Sequence, residues 1–204
     1  MASECEQRRD VLTALRIEVS RDAMAKTNAR SAHTRVALME ATLRVAAASG
    51  IASVSYRRVV TEAGMSLGTA SYHFDDFNDL LLESFAHFVK KVEKRYRKKL
   101  REVSTKDELV EAVFRVIEAM STDEQDTVLV LTLYSEAARN PDFADLVKSW
   151  SKEVKSSLAH VVDDATATKL ELIWDGALLQ RAVFDHGLSD DEIRQLIRAA
   201  ITEA

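Results

Sequence analysis

The sequence predicts an all-α fold, and three observations carry that reading. One proline and five glycines in 204 residues leave few helix breakers. Apolar residues, 47% of the chain, recur at steps of three and four. Capping residues stand before most of these periodic runs, and glycine or Asn-Pro follows several of them.

The first 23 residues carry only a weak helical stripe, Val11, Leu12, Leu15 and Val19. They are expected to be dispensable for folding, and residues 1–30 are expected to form a flexible extension or a short extra helix. A helix is expected over His33 to Ser49, with Val36, Met39, Leu43, Ala46 and Ala47 on its apolar face and Gly50 ending it. Lys26, Arg30 and Arg35 lie at its entrance, either as phosphate-reaching residues or as a solvated basic tail.

The stretch VSYRRVVTEAGMSLGTASYHF, Val54 to Phe74, reads as two short helices joined by a tight turn. Ser55 can cap the first, and Val59 and Ala63 fall four apart on one face. Gly64 can adopt the left-handed conformation that ends a helix. Ser66 can cap the second helix, whose inner face is Ala70 and Phe74. The other side of that helix holds small or hydrogen-bonding residues. This is a helix-turn-helix, whose second helix enters the DNA major groove.

A long helix follows, capped by Asp76 or Asn78 and striped by Leu81, Phe85, Phe88 or Val89, Val92, Tyr96 and Leu100. Its basic run from Lys90 to Arg101 lies mostly off that stripe, so a solvated face is preferred to a DNA patch. Thr105 and Glu108 form a capping box before Leu109, Val113, Phe114, Ile117 and Met120. The run VLVLTLY, in a helix from Asp123 to Arg139, is apolar on most sides and is expected at the centre of the body. Asn140-Pro141 stops it. Helices from Phe143 to Val162, from Thr166 to Asp185, and after the Ser189–Glu192 box complete the chain.

Net charge is −5, yet Met24 to Arg101 carries fourteen Lys and Arg against seven acids. A basic head on an acidic body suits DNA binding better than indiscriminate attraction to polyanions. The one cysteine, Cys5, rules out an internal disulfide and a cysteine-rich zinc site. No apolar run reaches the ~20 residues of a membrane span, and no apolar signal core is evident. A cytoplasmic protein is expected, without cofactor or metal. His160 with Asp163 and Asp164, and Asp185 with His186, lie at helix ends, where capping and solvation explain them better than a metal. An enzyme is not expected, since G-x-S-x-G, H-E-x-x-H and phosphate-loop motifs are missing.

The run AGMSLGTASYHF, Ala63 to Phe74, with Leu80 and Leu81 after it, resembles the signature of the TetR family of transcriptional regulators. That resemblance covers roughly residues 33 to 82. It implies a three-helix DNA-binding domain over residues 31–77 and a helical regulatory and dimerisation domain over residues 78–204. It further implies a homodimer built from the helices near 143–162 and 166–185, a palindromic operator, and release by a small effector. The chain departs from the family pattern after the His-Phe pair, where Asp75, Asp76 and Phe77 replace expected lysines.

Arg57 is the candidate for a guanine contact, through bidentate pairing of its guanidinium. Thr69 and the start of the second helix, Ser66, Leu67 and Gly68, with Ser71, are candidates for contact with bases or thymine methyls. Ser55, Tyr56, Tyr72 and His73 suit phosphate contacts. Phe88, Phe114, Ile117, Tyr134, Trp174 and Leu178 are candidate linings of an effector pocket. Few charges are expected to face it, which favours a mainly apolar ligand. The alternative is a helical interaction module or small-molecule-binding protein without specific DNA binding.

Overall fold

A computed structural model describes residues 28–184 and 187–202, and within them the secondary structure is helical, without strands. Helix α1 covers 28–49, and a 3-10 turn at Ile51–Ser53 leads to α2 (Tyr56–Ala63) and α3 (Leu67–His73). The long α4 (Phe77–Arg101) is followed by α5 (Lys106–Thr122), α6 (Glu124–Ala137) and α7 (Pro141–Leu158). Helices α8 (Asp164–Val183) and α9 (Asp190–Thr202) close the described chain. The expected features of residues 1–23, Lys26 and the Asp185–His186 pair lie outside the described residues.

Local signals set most boundaries. Ser55 accepts the Arg58 N–H, Asp76 accepts that of Asp79, and the Thr105–Glu108 box is complete. Such a cap is worth about 1 kcal/mol. Asn140 accepts the Asp142 N–H with Pro141 at the first helical position, so the Asn-Pro pair starts α7 as well as ending α6. Gly64 sits at φ 66°, ψ 32°, and Met65 N–H closes the turn onto the Val60 carbonyl at 2.8 Å.

Two expectations about α1 are corrected. Arg30 belongs to the helix, which reaches back past the expected start at His33, and not to an arm ahead of it. Val36 is 40% exposed, whereas Leu38, Met39, Ala41, Leu43, Val45 and Ala46 are buried. Helix α1 is covered on more of its circumference than a single stripe requires, because α2, α3 and α4 wrap it.

In the body, α5 packs on α4, α6, α8 and α9, while α6 packs on α5, α7 and α8. Helices α5 and α8 each pack on four others, while α6, which carries the VLVLTLY run, is enclosed by three. Leu109, Phe114, Ile117 and Met120 of α5 are fully buried. Phe85 of α4 meets Phe143 of α7 edge-on at 5.6 Å, an arrangement worth ~0.5–1.5 kcal/mol beyond area burial. Buried hydroxyls are satisfied: Thr42 bonds the Leu38 carbonyl, Ser84 that of Leu80, and Thr127 that of Met120.

Head and body are tied along α1 and α4. Glu40 accepts from His87 at 2.9 Å and from Lys91 at 3.1 Å. Burial alone would raise the Glu40 carboxyl, but the His87 and Lys91 bonds outweigh it and hold it below its usual range. Further along, Arg95 of α4 pairs with Asp126 of α6 at 2.5 Å. At the other end of the body, Asn140 reaches Asn78 at the start of α4.

Candidate nucleic-acid interface and body cleft

Helix α3 buries Ala70 and Phe74 and turns its other side outward. Ser66, Leu67, Gly68, Ser71 and Tyr72 are exposed, Leu67 by 59% and Tyr72 by 82%, while Thr69 and His73 are partly covered. An exposed leucine beside serines is an apolar spot on a polar helix, suited to a thymine methyl. Ser66 does not cap α3 through its side chain, contrary to expectation; its hydroxyl pairs with that of Thr69 at 2.9 Å. Both hydroxyls stand at the exposed start of the helix.

The Arg57 guanidinium is exposed, and no described residue engages it. Arg58 behaves differently. It donates to the Ser49 hydroxyl and the Ser53 carbonyl and so braces the link between α1 and α2. Tyr56 packs edge-on against Phe77 at 5.6 Å, and burial together with Asp76, Asp79 and Asp75 pushes its hydroxyl further up. It stays a protonated donor.

Arg35 fixes the far end of α3. Its guanidinium bonds the His73 carbonyl, pairs with Glu83 at 2.7 Å and lies 4.4 Å over the Phe74 ring. The sequence reading placed Arg35 among possible phosphate contacts, and its partners correct that. The acids after the His-Phe pair are partly absorbed by local structure: Asp76 caps α4, and the Asp79 carboxylate accepts the Asp75 N–H. Most of the basic run on α4 is exposed, and four of its eight cations are paired with acids. Lys91 pairs with Glu40, Arg95 with Asp126, Arg97 with Glu93 and Glu153, and Lys98 with Glu102.

The body holds a narrow cleft between α6, α7 and α8, lined by Val130, Tyr134, Trp150, Val154, Glu171, Trp174 and Asp175. Of the six expected lining residues, it contains Tyr134 and Trp174. Phe88, Phe114, Ile117 and Leu178 sit in the packed core, each 2% exposed or less. Phe114 is sealed by the Arg194 guanidinium, 3.6 Å from its ring centre. The expectation of few charges is corrected too, because two carboxylates face the cleft. Burial, with Glu171 nearby, pushes Asp175 up to about 6, and burial also raises Tyr134.

Among the described residues no group of three or more His, Cys, Asp and Glu could hold a metal ion. The His160 ring bonds the Val103 carbonyl, and Asp163 caps α8. No helix among the described residues is long and apolar enough to cross a membrane.

Residues 104–204 match the family model of the tetracyclin repressor-like C-terminal domain. SCO7518 of Streptomyces coelicolor A3(2), assigned as a transcriptional regulator, is 31% identical, with a TM-score of 0.77 over 83% of this chain and 98% of that one. The chain belongs to the TetR family of transcriptional regulators. The regulator BetI of Rhizobium meliloti is 27% identical over 125 residues, which span 61% of this chain and 62% of that protein. The multidrug binding protein EbrR, in complex with imidazole, is 27% identical over 80% of this chain and 87% of its own, with a TM-score of 0.67. Crystal structures of EbrR with proflavin and with ethidium are similar to this chain as well. As a TetR-family regulator the chain carries a helix-turn-helix of the DNA-binding type in α2 and α3.

Proposed function

We propose that this TetR-family chain acts as a homodimeric repressor that reads a palindromic operator through α3 and is released when a small molecule enters the α6–α7–α8 cleft. The supporting observation is the exposed polar face of α3, held at its far end by Arg35, with the exposed, unengaged Arg57 on the preceding helix α2. In this reading Arg57 contacts a guanine edge, Leu67 and Thr69 contact bases, and Ser55, Tyr56, Tyr72 and His73 contact phosphates.

One helix pair covers too little DNA for useful specificity, and a two-fold dimer places two pairs ~34 Å apart. Helix α8 supplies a suitable face. Leu172, Leu179 and Val183 are 68%, 46% and 62% exposed. With Gly176 they recur at steps of four, three and four, on one stripe. A Cβ on Gly176 would meet nothing within 4 Å in the protomer, so that glycine has no packing role inside one copy. It suits close approach of a second helix. The exposed side of α7, with Lys148 and Lys152, is more polar, so α8 carries most of the contact.

Retention of genomic fragments by the purified protein, followed by sequencing and gel shift, tests the reading. A recurrent two-fold motif bound in a salt-sensitive complex supports it. Equal affinity for the retained fragments and random DNA overturns it and favours a module without specific DNA binding.

A further inference from the structure

Between Ser66 and Phe74 the chain carries no guanidinium, ammonium, amide or carboxylate side chain. Those are the groups that pair with purine edges or accept from cytosine in the major groove. Helix α3 therefore lacks the paired hydrogen bonds that single out guanine, adenine or cytosine. Its hydroxyls are taken up locally as well. Ser66 and Thr69 bond each other at 2.9 Å, and Ser71 donates to the Gly68 carbonyl at 3.3 Å. What the outward face offers a groove is mostly carbon: the exposed Leu67 isobutyl group, the exposed Gly68 Cα and the Thr69 methyl. Gly68 adds an independent observation. Glycine is the costliest residue inside a helix after proline. A Cβ on Gly68 would meet nothing within 4 Å, and its φ is not positive. Neither packing nor backbone conformation within the protomer calls for a glycine there. Close approach of an outside surface does.

We infer that each operator half-site turns thymine 5-methyl groups toward α3, over a short A·T stretch read by Leu67 and Thr69 with Gly68 lying close against the bases. The inference rests on the operator reading above and supplies the chemistry of the DNA. The thymine methyl is the apolar group that base pairs present in the major groove. Leu67 loses exposed apolar surface when it meets one, and an unmethylated cytosine gives no such gain. Gly68 lets the helix backbone come nearer than a side chain would allow, so Leu67 and Thr69 reach the methyls. Arg57 has a separate part. Arg58 is bound to Ser49 and Ser53, which leaves Arg57 as the guanidinium of α2 available to a guanine. Specificity is thus divided, with methyl contacts from α3 and a paired hydrogen-bond contact from α2.

Replacing thymine by uracil removes the methyl and keeps the base pairing and the O4 acceptor. The full chain is assayed by competition gel shift on an operator duplex recovered from the retained genomic fragments. Each thymine of the half-sites is changed to uracil in turn. At least one position per half-site is expected to lose affinity by roughly threefold or more. Leu67→Ala alters an exposed side chain, and thermal melts confirm that the variant folds. It is expected to bind the thymine operator roughly fivefold more weakly and to lose the uracil penalty at that position. Thr69→Ser trims one methyl, keeps the hydroxyl and serves as the second variant. A penalty that vanishes in a variant marks a direct contact, whereas one that survives reports altered DNA shape. Gly68→Ala is expected to melt no lower than the unaltered protein while its operator affinity falls roughly tenfold. Three results overturn the inference: uracil operators that bind as well as thymine ones, a uracil penalty that persists in both Leu67→Ala and Thr69→Ser, or undiminished operator affinity in Gly68→Ala. In each of them specific binding persists and the regulator reading stands. Equal affinity for the operator duplex and random DNA sinks that reading, and this inference with it.

Discussion

The Tyr134 hydroxyl of α6 donates to Asp175 Oδ1 of α8 across 3.2 Å. The bond joins two walls of the cleft and shields a carboxyl that burial already holds at about 6 instead of the ordinary 3.8. The neutral acid is thus favoured in the folded chain. Its contribution to stability is complete below about pH 4 and is lost as pH rises through about 6. Asp175→Asn keeps the neutral shape at every pH. It is expected to raise stability at pH 7.5 by on the order of 1 kcal/mol, or ~2–4 °C in Tm, and to bring little gain at pH 4.5. Thermal melts at the two pH values check this; an equal gain at both would refute the burial account.

Arg57→Ala is expected to cost ~1–3 kcal/mol of operator affinity and to relax selectivity at one base position in each half-site. Folding stability should stay within ~0.5 kcal/mol, since no described residue engages the guanidinium. Competition gel shifts against operators varied one position at a time give both quantities.

Arg35→Ala should behave in the opposite way. It removes the hydrogen bond to the His73 carbonyl, the Glu83 pair and the contact with Phe74 together. A loss of ~1–3 kcal/mol in stability is expected, with weaker DNA binding as a consequence of a loosened α3. Lysine should not restore it, because an ammonium cannot span carboxylate, carbonyl and ring as the planar fork does. Denaturant melts of the two variants decide whether they differ.

The α8 face yields a paired test. Leu179→Glu is expected to shift the sedimenting species from dimer to monomer and to abolish stable operator complexes. Gly176→Ala adds one methyl where the protomer leaves space. A lone copy would gain ~0.5–1 kcal/mol from helix propensity, whereas a closely approached partner helix would be pushed away. Tighter folding with unchanged dimerisation would place the interface elsewhere.

What could be read from the sequence divides by distance along the chain. Ser55, Gly64, Asp76 and the Thr105–Glu108 box act within three or four residues, so their spacing alone carried them. Helix bounds followed to within a few residues, although Pro141 starts α7 earlier than the apolar pattern implied. The inner face of α3 followed from the same periodicity. Arg35 could not be read in this way, because Glu83 and His73 lie 48 and 38 residues further on. The cleft was equally hidden. Helical periodicity separates inside from outside, but it cannot tell Phe114, sealed under Arg194, from Trp174 at a cleft. The aspartate one residue after Trp174 was the available signal, since a charge on a half-buried helix asks for an explanation.

The acids at the mouth of α4 change how the chain would share its time among DNA sites. With Asp75 and Asp76 where cationic anchors are usual in the family, general attraction to any duplex would be reduced before shape is consulted. Such a head would give up some grip on its target and be less often detained by the vast surplus of irrelevant sequence around it. Its search would then be limited by encounter with the right groove rather than by escape from the wrong one.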